Sequence, residues 1–353
     1  MKKGYLVLSN GMVFEGTRFG AEGDALGELV FTTGMTGYIE TLTDPSYYGQ
    51  IILFTFPLVG NYGIMEADFE GAGTAARGCV LREWCDTPSN FRCEYDLDTF
   101  LKKKGIPGLY GIDTRRITRI IREYGVMNAV ICDQVPADLG FVRDYTITEA
   151  VRNVSTGDRF EAPAAGEARH KVTLIDYGTK YNIVRELQAR GCDVTVVPCG
   201  TTAEEILAGN PDGIMLSNGP GDPAENVFAI AQLQKLVGKV PLFGICLGHQ
   251  LLALANGGKT VKLKYGHRGA NQPVEDLKTK KVYITSQNHG YAVTVDSLEG
   301  VGELRFINTN DQTCEGVDYP DKNAFSVQFH PEAHAGPQDT AFLFDRFIAM
   351  MKK

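Results

Sequence analysis

The chain has 353 residues, 43% of them hydrophobic, and a formal net charge of −8. That length supports large cores and suggests two domains. The acidic balance, with no Lys/Arg run longer than Lys102-Lys103-Lys104, argues against a nucleic-acid partner, and no apolar stretch is long enough for a membrane partner.

The N-terminal ten residues carry two lysines but too few apolar residues for a secretion signal. Eight cysteines stand at 79, 85, 93, 132, 192, 199, 246 and 314, with no Cys-x-x-Cys pair, and read as reduced thiols of a cytoplasmic protein. Along the first 150 residues, strand-like runs at 5–8, 29–32, 51–56 and 78–81 precede helical stretches at 97–104 and 113–124, the latter with Asp113 as a plausible N-cap. This is the pattern of a smaller α+β domain, and its side chains alone declare no chemistry. Residues 155–170 are small, polar and bear Pro and Gly, so they read as a linker between domains at 1–154 and 171–353.

Beyond the linker, strand and helix alternate. Strands are expected at 172–175, 194–197, 213–216 and 240–245, with helices around 183–187, 202–208 and 225–237. This implies an α/β fold with a doubly wound, mostly parallel sheet. The region 259–329 is richer in alternating strands and turns, including runs at 282–285 and 293–295. Apolar residues at helical spacing over 340–351 predict a closing helix.

The most informative residue is Cys246. An apolar run ends at Gly244-Ile-Cys-Leu-Gly248, and a helix-like stretch follows at 251–255. That is the layout of a nucleophile elbow, in which glycines permit a sharp strand-to-helix turn and the central side chain is exposed above the sheet edge. A thiol there also sits at a helix N-terminus, which favours thiolate. The plain alternative is a small buried hydrophobe. His330-Pro331-Glu332 follows another apolar run, so a base and an orienting carboxylate accompany the thiol.

Two further segments follow strands. Ser217-Asn-Gly-Pro-Gly-Asp-Pro223 is either an oxyanion-binding loop or a surface turn. Gln287-Asn-His-Gly-Tyr291 either binds a ligand or is structural. Three look-alikes are set aside. Gly257-Gly-Lys-Thr260 lacks the first glycine of a phosphate loop, which is Ala253 here. Gly71-Ala-Gly-Thr-Ala-Ala76 follows no buried strand. Pro331 opposes a helix that would bring His330 and His334 together on a metal, so no metal ligand is assigned.

Gly-Ile-Cys-Leu-Gly-His-Gln, Asn-Gly-Pro-Gly-Asp-Pro and His-Pro-Glu resemble the class I (triad type) glutamine amidotransferases. The segments 27–50, 56–63, 110–115, 176–182 and 266–271 resemble the carbamoyl-phosphate synthase small-subunit family, and that resemblance runs over essentially the whole chain. It implies hydrolysis of L-glutamine by Cys246 as nucleophile, His330 as base and acid, and Glu332 as its orienter. It implies an oxyanion hole from the N–H groups of Leu247 and Gly219. Ser46, Gly219, Gly221, Leu247, Gln250, Asn288, Gly290 and Tyr291 would hold the glutamine. A β/β/α arrangement is implied for the first domain. The partner implied is a large synthetase subunit, which would receive the ammonia and use bicarbonate, ATP and Mg, so no cofactor is expected on this chain. A stand-alone glutaminase or γ-glutamyl hydrolase on the same fold is the alternative. The 150-residue companion domain argues against it.

Overall fold

A computed structural model describes residues 2–351. The chain divides into two compact units between Thr148 and Glu149. In the first unit, seven strands close into a barrel in the order 3–8, 13–20, 107–110, 78–80, 50–54, 25–32, 127–132. Helices Leu97–Lys104 and Thr114–Tyr124 form where the periodicity places them. Asp113 is the N-cap, its carboxylate accepting from Arg116 N at 2.9 Å. Strands Val13–Gly20 and Pro107–Tyr110 are not apparent in the sequence because glycines interrupt them. The glycines are there for close approach. A Cβ on Gly16 would lie 2.7 Å from Tyr110 O, and one on Gly108 would lie 2.3 Å from Phe19 Cε1.

The second unit is built on a ten-stranded sheet. Its parallel part holds strands 192–198, 170–176, 213–216, 242–245 and 324–327, side by side in that order. Numbered along the chain, the order is 2-1-3-4-5, a doubly wound arrangement whose direction of winding reverses between the first and third strands. Strands 314–319, 303–308, 260–276 and 282–293 continue the sheet antiparallel. Two local differences from the sequence reading appear. Phe160–Ala162, inside the stretch read as linker, pairs with 194–196 as an edge strand. The run expected as a strand at 293–295 is the end of Val282–Val293 followed by a 3-10 turn at Val295–Leu298, because Thr294 N bonds to Lys259 O and Ser297 N turns back to Thr294 O.

Alternation along the parallel strands feeds two cores. Ile214, Leu216 and Leu242 face helices Ala203–Ala208, Val227–Leu236 and Leu247–Ala255. Met215, Phe243, Ile245 and Phe325 face Tyr181–Ala189 and Phe342–Met350 on the other side. Phe243 stacks on Phe325 with ring centroids 4.3 Å apart and meets Phe344 edge-on. No helix among the described residues is long and apolar enough to cross a membrane.

Phe243 is fully buried where helix Phe342–Met350 meets the strand that leads to Cys246. Phe243→Ala should therefore lower unfolding free energy by about 3–5 kcal/mol, read from denaturant unfolding at constant m-value.

Candidate active site

Four loops of the second unit follow the C-terminal ends of parallel strands, the edge where open α/β sheets bind ligands. The site residues singled out in that unit lie in these loops, on helix Leu247–Ala255 and on strand 282–293.

Cys246 follows Ile245 and caps helix Leu247–Ala255. Its backbone takes φ 52° and ψ −103°, a left-handed conformation that a Cβ-bearing residue rarely adopts. The sequence suggested that the glycines absorb the turn. The structure puts the strain on the cysteine and gives the glycines another task. A Cβ on Gly244 would lie 2.7 Å from Gly248 O, and one on Gly248 would lie 2.5 Å from Leu216 O. Both are glycine so that the helix can seat against the sheet. The strained turn is pinned at each end. Cys246 N donates to Val327 O at 2.9 Å, and Gly248 N donates to Ser217 O at 3.0 Å. The thiol is buried and lies 3.7 Å from Asn288 O on the adjoining strand.

Strand Ala324–Val327 pairs in parallel with Leu242–Ile245, Val327 opposite Ile245. His330 is thus delivered to the same sheet edge, and its N–H donates to Ser286 O at 2.9 Å. Its Nδ1 lies 2.8 Å from Glu332 Oε1. With a carboxylate at Nδ1, that nitrogen carries the proton, and Nε2 keeps its lone pair. Nε2 is buried and has no hydrogen-bond partner.

Glu332 has a second partner, and this one is a cation. Lys180 Nζ sits 3.3 Å from Glu332 Oε1, with both side chains almost wholly out of water. Burial by itself pushes the Glu332 carboxyl up, but its interactions with His330 and Lys180 overcome it and hold the group down to about 2. Nothing in the sequence singles out Lys180, because a lone lysine in a loop reads as solvated. It is fixed from the backbone. Asp176 Oδ1 accepts from Gly178 N and Thr179 N at 2.8 and 2.7 Å, and Lys180 N donates to Asn218 Oδ1 at 3.0 Å.

Gly219 backs onto this turn. A Cβ there would lie 2.2 Å from Tyr177 O and 2.7 Å from Leu247 Cδ2, so no side chain fits. Gly221 has φ +87°. Gln250, one helical turn past Cys246, donates through Nε2 to Tyr291 O and to Gln328 Oε1, both at 2.8 Å. Asn288, Gly290 and Tyr291 lie on strand Val282–Val293. Ser46 belongs to the first unit, in a buried one-turn helix at Pro45–Tyr47 capped by Asp44, whose Oδ1 accepts from Ser46 N at 2.8 Å.

Behind strand 282–293 lies a buried polar group. His267 Nε2 is 2.7 Å from Asp311 Oδ2, and its Nδ1 is 3.4 Å from Glu315 Oε1. Gln287 Nε2 donates to Glu315 Oε2 at 2.9 Å, and its Oε1 lies 3.1 Å from His289 Nε2. His267, His289 and Glu315 present ligand-type atoms within 4.8 Å of one another. His267 and Glu315 form an ion pair, and Gln287 joins Glu315 to His289. Burial pulls the His267 imidazole down, but the bonds to Asp311 and Glu315 outweigh it and hold it up at about 9. Burial, and then the charge of His267, keep His289 neutral.

The shifts of His267, Glu332 and His289 shape the pH response of stability. The His267 value is raised, so its contribution is complete below about 6.5 and fades as pH climbs through about 9. The Glu332 value is depressed, so its contribution is complete above about 4.5 and fades as pH falls toward about 2. His289 is held neutral, so its contribution fades as pH falls below about 6.5, and stability measured by urea unfolding should therefore peak near about pH 6.5. His267→Gln should flatten the alkaline side, and the fall below about pH 4.5 that belongs to Glu332 should remain.

Residues 173–350 match the family model described as glutamine amidotransferase class-I, and residues 6–131 match that for the carbamoyl-phosphate synthase small chain, CPSase domain. Three similar proteins are each named carbamoyl phosphate synthase small chain. One from Bacillus cereus is 53% identical over 99% of this chain and 96% of its own length. Those from Listeria monocytogenes and Bacillus caldolyticus are each 52% identical over 99% of this chain and 97% of theirs. A thiol on a strained elbow and an oriented histidine at the ends of two paired parallel strands agree with the first model, and the residues ahead of that unit agree with the second. The chain therefore belongs to the carbamoyl-phosphate synthase small-chain family, the glutamine-hydrolysing amidotransferase subunits.

Proposed function

We propose that Cys246, His330 and Glu332 carry out the amide hydrolysis. The observation that carries this reading is the strained Cys246 elbow at the end of one strand, with the paired strand leading to a histidine whose Nδ1 is committed to a buried carboxylate. His330 Nε2 accepts the thiol proton, and the thiolate attacks the carboxamide carbon of glutamine. The oxyanion meets the N–H groups of Leu247 and Gly219. The Cys246 N–H goes to Val327 O and the Gly248 N–H to Ser217 O, which leaves the Leu247 N–H between them for that role. His330 returns the proton to the departing ammonia. It then takes a proton from water, which opens the thioester to glutamate.

Gly219, Gly221, Leu247, Gln250, Asn288, Gly290 and Tyr291 hold the glutamine. The family resemblance adds Ser46. The ammonia passes to a large synthetase chain that uses ATP, Mg and bicarbonate, and the pair works in the cytoplasm.

Cys246→Ser should abolish glutamine-driven carbamoyl-phosphate formation by the assembled pair and leave ammonia-driven formation intact. Loss of both in a complex that still co-elutes would refute this division of labour. Ser46→Ala should raise KM for glutamine about tenfold with a smaller effect on kcat, the cost of a hydrogen bond to a charged group. An unchanged KM would take Ser46 out of the site.

A further inference from the structure

Two sequence spacings meet in the second unit. Gln250 is four residues past Cys246, so it lies one turn along the same helix face. Gln328 is two residues before His330, just past the end of strand Ala324–Val327. The parallel pairing of the strands brings the two amides together, with Gln250 Nε2 donating to Gln328 Oε1 at 2.8 Å.

We propose that Gln328 is a positioning residue for substrate recognition: it locks the Gln250 amide so that Oε1 is the atom offered to the amino-acid end of glutamine. This rests on the reading of the site as a glutamine site. The second Nε2 hydrogen of Gln250 goes to Tyr291 O, also at 2.8 Å. Tyr291 O is a backbone acceptor that additionally faces His289 Nδ1 at 2.7 Å. A flipped Gln250 would set its Oε1 against that carbonyl oxygen, acceptor to acceptor. Both donor hydrogens are therefore spent on protein, and only the acceptor is left for a ligand.

Gln328 is itself held. It is fully buried, and its backbone N–H donates to Glu315 O at 2.9 Å. Glutamine has two donor groups. The carboxamide nitrogen has to face His330 in order to leave as ammonia. An acceptor on Gln250 thus suits the α-ammonium, and Gln328 becomes a determinant of selectivity for an α-amino acid over its des-amino analogue.

The test uses the full chain assembled with its synthetase partner, and measures ammonia release from L-glutamine and from glutaramate, which lacks the α-amino group. Gln328→Met removes the acceptor at nearly constant volume. KM for glutamine should rise about five- to tenfold, with kcat within about threefold, and preference over glutaramate should shrink by a similar factor. Gln328→Glu keeps an acceptor at the same reach and should hold KM within about threefold of the parent. The inference is overturned by a folded Met variant with the parent KM, by equal losses on both substrates, or by a folded Glu variant with a KM tenfold or more above the parent. The Glu variant decides the matter if the Met variant does not fold. A parent enzyme that releases no ammonia from glutamine would instead overturn the underlying reading of the site.

Discussion

The site depends on how closely one helix can approach one sheet. Helix Leu247–Ala255 seats so tightly against strands 213–216 and 242–245 that no Cβ is tolerated at Gly244 or Gly248. The chain must turn from strand to helix within a single residue, and that residue is Cys246 at φ 52°. A non-glycine residue in such a conformation costs about 1–3 kcal/mol. Burial of Leu247, Leu251, Leu252 and Ala253 behind it offsets that cost. The strain holds the thiol in one place and at a helix N-terminus.

A second constraint is electrostatic. Glu332 is an anion out of water, and its two partners come from different loops: the His330 imidazole from its own and the Lys180 ammonium from the loop after strand 170–176. Removing one partner from such a group costs more than the pair contributes, because the remaining charge is left buried and uncompensated. The same carboxylate therefore fixes the imidazole tautomer and ties two strand-end loops to each other. Behind strand 282–293, His267 is similarly placed between Asp311 and Glu315, and Gln287 links that pair to His289. The strand carrying Asn288, Gly290 and Tyr291 is thus backed by a polar layer whose geometry is specified by hydrogen bonds, where apolar packing would tolerate small slips.

The amide pair Gln250 and Gln328 follows the same logic at smaller scale. Amide groups are symmetric in shape and opposite in hydrogen-bond sense at their two ends. A site that uses one for recognition has to settle which end faces the ligand. Here a backbone carbonyl and a second amide settle it from opposite sides.

Much of this was legible in the sequence. Near-continuous apolar runs mark the parallel strands because both their faces are buried. Glycine at 244 and 248 around a cysteine marks the elbow, and His-x-Glu after a strand marks the base with its orienter. Asp113 reads as a cap because an N-cap is local chemistry, set by a few neighbouring residues. What escaped the sequence is what depends on partners distant in the chain. The barrel strands at 13–20 and 107–110 hide because their glycines answer to Tyr110 O and Phe19, each about ninety residues away. Lys180 reads as solvent-exposed until Glu332, 152 residues later, is set 3.3 Å from it. Gln328 is one polar residue in an apolar run until the strand register places it on Gln250. Residue type and spacing determined which groups could do chemistry and on which element each would stand. Only the tertiary structure decided which of them meet, because buried charges and amides gain their roles from partners that the chain brings together by folding.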